Sequence, residues 1–147
     1  MIEIKKMDEE CLETFLQPLS ELEREIFGIN NYCISQLLEM IISTEYICFL
    51  AIEKKNILGY LIIHNIIDNY EIMKIGILSA ARKKRIGSQL LKEYIDTVKL
   101  PLLLEVRETN EIGQNFYTKN GFEKIGIRKN YYKDTGENAI IMKLDCK

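Results

Sequence analysis

Tryptophan is absent from this 147-residue chain, which has one histidine and two prolines. The shortage of imidazole removes much metal and nucleophilic chemistry. Four cysteines, at positions 11, 33, 48 and 146, contain no C-x-x-C pair, so no zinc site is expected. A cysteine nucleophile wants a histidine beside it. The one available, His64, falls inside a strand-like apolar run and reads as a strand residue with a local polar partner. The thiols then read as buried or idle groups in a reducing compartment. Long hydrophobic runs are also missing. Tyr46-Ile47-Cys48-Phe49-Leu50-Ala51-Ile52 is far too short to span a bilayer, and the opening Met1-Ile2-Glu3-Ile4-Lys5-Lys6 lacks the apolar stretch of a signal peptide. A cytoplasmic location with no membrane partner is expected. The net charge of −2 argues against nucleic acid as a partner. Neither a G-x-G-x-x-G triplet nor a Gly-Lys-Ser/Thr phosphate loop occurs.

What is present is a concentration of positive charge in one place, Arg82-Lys83-Lys84-Arg85-Ile86-Gly87-Ser88. It follows the strand-like Glu71-Ile72-Met73-Lys74-Ile75-Gly76-Ile77 and precedes a helical pattern in which Ile86, Leu90, Leu91, Tyr94, Ile95 and Val98 recur. The first amides of a helix lack partners within it, and the helix dipole favours an anion there. A phosphate or pyrophosphate is the natural ligand. The competing reading is a solvated basic surface.

The rest of the chain alternates helical and strand patterns, with no repeat, linker or low-complexity tract. A helix is expected over about 8–27, interrupted at Pro18 and restarted by a capping box of Ser20 with Glu23. A second spans 32–42. Strands follow over 46–53 and 57–67, joined by a polar turn at Lys54-Lys55-Asn56. Asp68-Asn69 is a further turn before a strand over 70–77. After the basic turn and its helix, 102–106 reads as a short strand buried on both faces. Asn110 caps a short helix with Ile112, Phe116 and Tyr117 on its apolar face, ended by Asn120-Gly121. Strands over 122–127 and 139–144 close the pattern, and 2–5 supplies one more at the start. The order predicts one α/β (α+β) domain over 1–147 with helices on both faces of a mixed sheet.

These residues resemble the GNAT acyl-CoA N-acyltransferases. Their signature Q/R-x-x-G-x-G/A is matched at the strand-to-helix turn by Arg82-x-x-Arg85-x-Gly87, with Arg85 in place of the first glycine. A non-glycine residue resists positive φ. From about 75 to 144 the resemblance narrows to the bacterial ribosomal-protein alanine N-acetyltransferases. It rests on Leu104-Glu105-Val106-Arg107-x-x-Asn110, Phe116-Tyr117-x-x-x-Gly121-Phe122, Arg128-x-Asn130-Tyr131-Tyr132 and Ala139-Ile140-Ile141-Met142. The Pro-Trp pair of that family, between its first two helices, is replaced here by Ile26-Phe27-Gly28-Ile29-Asn30.

The resemblance implies a mostly antiparallel sheet of about seven strands flanked by about four helices. It implies acetyl-CoA as co-substrate, no metal, and transfer of acetyl to a protein N-terminal amine. A small-subunit ribosomal protein is the implied partner, and a monomer or weak dimer is expected. An α-amine has a reference pKa near 8 against about 10.4 for lysine, so a modest base suffices. By resemblance Glu105 is that base; the alternative is a carboxylate paired with Arg107 or a lysine. Tyr117 is the implied acid for the departing thiolate, and it also reads as a core aromatic. Ile75, Gly76 and Ile77 would line the cofactor arm, with Gly76 at a strand bulge and the amide near Ile77 facing the thioester carbonyl. Arg82, Lys83, Lys84, Arg85, Ile86, Gly87 and Ser88 would hold the pyrophosphate, with Asn110 and Tyr117 also touching the cofactor. Tyr131 and Tyr132 either bind the acceptor backbone or pack at a hairpin. A small-amine acetyltransferase and a non-catalytic acetyl-CoA module are the alternatives, and the retention of Glu105 with Tyr117 argues against the second.

Overall fold

The structure is a computed structural model that describes residues 1–67 and 69–145. Its elements run Glu3–Lys6 (β1), Leu12–Phe27 (α1), Ile34–Ile42 (α2), Tyr46–Glu53 (β2), Asn56–Ile66 (β3), Asn69–Ile77 (β4), Ile86–Thr97 (α3), Leu102–Arg107 (β5), Glu111–Lys119 (α4), Glu123–Arg128 (β6) and Ala139–Leu144 (β7). The strands form one seven-stranded sheet in the order β1-β2-β3-β4-β5-β7-β6. Only β4 and β5 pair in parallel, because α3 carries the chain across the face between them. The mixed α/β class expected from the order of patterns is therefore the one observed.

Alternating side chains on the central strands feed two cores. Phe49, Leu61, Ile63 and Leu104 pack against Ile86, Leu90, Leu91 and Tyr94 of α3 and against Tyr117 of α4. Cys48, Leu50, Tyr60 and Ile62 pack against Phe15, Leu19 and Leu22 of α1 and Leu37 of α2. Several strand details differ from expectation, among them Asn56, which opens β3 rather than closing the turn before it. Asn69 belongs to β4 rather than to a turn, and the other half of that expected turn, Asp68, lies outside the described residues, as does Cys146. β5 alternates between buried and half-buried positions instead of being buried throughout: Leu102, Leu104 and Val106 enter the α3-side core, whereas Leu103, Glu105 and Arg107, on its other face, are half-buried.

The largest departure is in α1. The helix runs unbroken through Pro18. An interior proline costs about 3 kcal/mol. Burying Phe15, Leu19 and Leu22 against the sheet, at roughly 1.5–3 kcal/mol each, exceeds that cost. No cap restarts the helix at Ser20. Ser20 and Glu23 lie inside it, 3% and 0% exposed, and Glu23 faces the sheet. In α4, Asn110 caps as expected, its side chain accepting from the Gly113 amide at 2.9 Å. Ile112, however, is 86% exposed and not part of the core face. His64 finds an aromatic partner, stacked on Tyr46 with ring centroids 4.3 Å apart. Cys11 and Cys48 are buried free thiols and Cys33 is an exposed one.

Candidate active site

Parallel pairing between β4 and β5 ends after Glu71 and Leu103. Beyond that point the strands part and leave a cleft of about 1110 Å³. A bulge helps open it. Ile62 pairs with Lys74 and Ile63 with Ile72, so Met73 is the extra residue. Gly76 is not at the bulge; it pairs with Tyr60. Its bare Cα is required for another reason, since a Cβ there would stand 2.8 Å from the Tyr60 ring.

The backbone of β4 presents donors to the gap. The Leu78 amide donates to Leu58 of β3 at 2.8 Å. Amides alternate sides along an antiparallel strand, so those of Ile77 and Ile75 point away from β3 and into the cleft. At the far end of this stretch a 3-10 turn over Ser79–Lys84 leads to Arg85 and α3. Arg85 takes the left-handed conformation, φ 58° and ψ 30°. An arginine thus occupies the conformation that glycine would reach more easily, at the cost of a locally crowded Cβ. The next three amides, of Ile86, Gly87 and Ser88, open the helix. Gly87 lets α4 approach, because a Cβ there would meet Phe116 at 2.8 Å.

The lining of the cleft gathers most of the residues singled out in the sequence. Ile75, Gly76, Ile77, Arg82, Lys83, Arg85, Ile86, Gly87, Ser88, Glu105, Asn110, Tyr117 and Tyr132 all border it. Lys84 does not. Its ammonium points to Glu53, 3.8 Å away, because the 3-10 turn sends successive side chains in different directions. Tyr131 also stands outside the lining, 46% exposed, edge-on to Tyr132.

Glu105 projects from β5 at the end of the cleft away from the basic turn. It is not paired with Arg107. Its Oε1 lies 3.4 Å from Nε of Arg128, and its Oε2 is buried with no hydrogen-bond partner among the described residues. A carboxylate oxygen left in that state is ready to accept a proton or a donor from a ligand. Burial, and then the Glu105 charge, push the neighbouring Glu71 carboxyl above its ordinary range. The Glu105 charge also raises the Tyr131 phenol. Tyr117 is 9% exposed, and burial pushes its hydroxyl up to about 12. It therefore stays protonated at neutral pH.

Arg107 serves the loop between β6 and β7. It grips Asp134 at 2.9 and 3.1 Å and Glu137 at 2.9 Å, and its guanidinium lies 4.0 Å from the Tyr132 ring centre. Thr109 donates to the same Glu137. This knot holds Tyr132 over the cleft.

Sequence reasoning missed a second group, built around Glu23. Its carboxylate accepts from the Tyr60 hydroxyl, from the Tyr32 amide at 2.5 Å and from the Lys74 ammonium at 2.5 Å. The signals were a carboxylate on the apolar stripe of α1 and a lysine between Met73 and Ile75 in a strand.

The parting of β4 and β5 leaves backbone donors on one edge of the cleft and a carboxylate on the other, room in which a thioester and an amine could meet. That arrangement suits acyl transfer from a thioester to an amine. The chain belongs to the acetyltransferase (GNAT) family, whose sequence model matches residues 6–122, and it is an N-acetyltransferase with acetyl-CoA as donor. It is similar to the ribosomal protein bS18-alanine N-acetyltransferase of Haemophilus influenzae, at 36% identity over 105 residues, 67% of this chain and 71% of that one. The fold matches the crystal structure of the ribosomal-protein-S18-alanine N-acetyltransferase from Escherichia coli, with TM-score 0.84 and 24% identity over 100% of this chain and 95% of the other. It also matches an aminoglycoside 6'-N-acetyltransferase complexed with coenzyme A, with TM-score 0.83 and 18% identity over 96% of this chain and 95% of that chain.

Proposed function

We propose that residues 1–147 form one acetyltransferase domain that acts in the cytoplasm on a protein N-terminal α-amine, of the ribosomal-protein alanine type. The observation that carries this reading is the Oε2 of Glu105, buried and without a hydrogen-bond partner among the described residues, in the same cleft as the Tyr117 hydroxyl. The relatives named for bS18-alanine acetylation support the acceptor class. Acetyl-CoA supplies an activated acetyl group on a sulfur leaving group. The residues present fit it: a basic helix start, an open strand edge and a cleft that joins them.

Each residue then has a defined task. Helix-opening amides at 86–88, with Arg82, Lys83 and Arg85, hold the pyrophosphate. Ile75, Gly76 and Ile77 bind the adjoining arm along β4, and Asn110 borders the same channel. The Ile77 amide donates to the carbonyl oxygen as negative charge develops there. Glu105 takes the proton from the acceptor ammonium, directly or through one water, and Arg128 keeps it oriented. The freed amine forms the C–N bond at the thioester carbon, the C–S bond breaks as Tyr117 gives its proton to the departing sulfur, and the proton shed by the new amide nitrogen passes through water to restore the Tyr117 hydroxyl. Tyr131 and Tyr132 present hydroxyls for the acceptor backbone.

The test is release of coenzyme A with two acceptors side by side, a hexapeptide with an N-terminal alanine and spermidine. Turnover of the peptide alone is expected. Turnover of spermidine alone overturns the acceptor and keeps the chemistry.

A further inference from the structure

The chain leaves one arrangement without a task. Lys74 follows the bulge in β4 and comes directly before Ile75. Its ammonium is held by four groups. Glu23 of α1 accepts from it at 2.5 Å and the Asn30 carbonyl at 2.6 Å. The rings of Phe27 and Tyr32 lie with centroids 4.1 Å from it on either count. Two of the four, Asn30 and Tyr32, belong to the connection between α1 and α2, and Phe27 is the last residue of α1. The fourth, Glu23, is fully buried and also binds the Tyr32 amide and the Tyr60 hydroxyl. Tyr60 in turn packs on Gly76.

Apart from this anchor, the connection is held by Asn31 bonds to the Gly28 carbonyl, a Cys33 amide bond to Gln36 and the packing of Tyr32 on the α1 core. Ile29 is 98% exposed, and the connection contains only a three-residue 3-10 turn, Gly28–Asn30. The ammonium is the group that links it to β4, through the Asn30 carbonyl and the Tyr32 ring. Lys74, Phe27 and Met73 border the cleft at the Glu105 end, opposite the basic turn. β4 runs toward the basic turn, so a ligand entering from the Glu105 side meets Phe27 and Lys74 before it meets Ile77.

We infer that Lys74, locked to Glu23, is the positioning residue of the acceptor site: it folds the α1–α2 connection into a fixed wall beside Glu105 and ties that wall to the strand that binds the acetyl donor. This inference rests on the acetyl-transfer reading of the cleft. The wall it builds is aromatic, with a cation already neutralised by a buried carboxylate. It therefore suits an acceptor whose first side chain is small and uncharged, and it offers no free anion to a polycation.

The test compares the wild-type protein with Glu23→Gln/Lys74→Met, in which the buried pair is replaced by neutral groups of similar size. The acceptor is whichever amine the wild-type protein turns over, so an incorrect acceptor class and an incorrect role for Lys74 give different results. Near-wild-type melting temperature, acetyl-CoA affinity within about twofold and an acceptor KM raised by about tenfold are expected, with amide exchange accelerated over residues 28–33. A wild-type acceptor KM in the folded double variant overturns the inference. So does a loss shared equally by acceptor and acetyl-CoA. Tyr32→Leu, which leaves the ion pair in place, serves if the double variant fails to fold. A severalfold rise in acceptor KM alone supports the inference, and an unchanged KM rejects it.

Discussion

Glu105 meets Arg128 through one oxygen only: Oε1 lies 3.4 Å from the arginine Nε, while Oε2 is buried and unpartnered among the described residues. The contact orients the carboxylate and leaves its second oxygen for a ligand. Glu105→Gln keeps the shape and removes the base. Turnover should fall by about 10²- to 10³-fold, most severely at low pH where the acceptor is most fully protonated. Acetyl-CoA affinity, measured by calorimetry, should move less than about twofold. A uniform loss at all pH values would remove Glu105 from proton transfer.

Tyr117 adds no titration of its own to the working range. Burial holds its hydroxyl up near 12, so the acid is loaded at any assay pH below about 11. Tyr117→Phe should lower kcat by about tenfold or more and leave acetyl-CoA affinity alone. A pH–rate limb near 8–9 that disappeared in this variant would contradict the assignment.

Glu71 carries the opposite lesson about charge. Its folded value lies above the ordinary 4.5, from burial first and the Glu105 charge second. A carboxyl raised on folding contributes favourably below its unfolded value and loses that contribution as pH rises through the folded one. Glu71→Gln should therefore be more stable than wild type at pH 7, by under about 1 kcal/mol because the site is partly solvated. The difference should vanish below about pH 4. Thermal melts at the two pH values decide it; a variant less stable at pH 7 would mean that Glu71 has a favourable partner.

The two neighbouring lysines of the basic turn should part company. Lys83 borders the cleft, whereas Lys84 faces Glu53. Lys83→Ala should weaken coenzyme A binding severalfold at low salt, with the difference shrinking as salt screens the contact. Lys84→Ala should leave affinity unchanged. Equal losses would place both ammoniums on the phosphates.

The knot under Tyr132 should open in acid. The Arg107 hydrogen bond holds the Asp134 carboxyl below its ordinary 3.8. Hydrogen bonds from Thr109 and then Arg107 hold Glu137 below its ordinary 4.5. Depressed carboxyls stabilise above their unfolded values and lose that contribution as pH falls through the folded ones. The β6–β7 loop should thus stay ordered from pH 5 to 9 and loosen below about pH 4. Tyrosine fluorescence can follow this, since the chain has no tryptophan to mask it. A loop transition near neutral pH would rule the knot out as its cause.

Local pattern determined much of this protein. Period-two and period-3.6 apolar spacing placed the strands and α-helices of the described chain to within a few residues, except for the break expected at Pro18. The basic turn before a helix marked the basic end of the cleft, because helix-opening amides are a property of local backbone. Asn110 was legible as a helix cap from its place before α4, whereas Glu105 and Tyr117 were singled out through the resemblance to the acetyltransferases. Tertiary structure decided the rest. Pro18 argued for two helices, and the burial of Phe15, Leu19 and Leu22 against the sheet made one. Glu23 had the spacing of a cap and became the buried anchor of Lys74, a residue 51 positions away. Arg85 entered the left-handed region, and Lys84 turned away from the cleft. Each outcome depended on contacts between segments distant in sequence, and local propensities of about 1 kcal/mol or less per residue yield to such contacts.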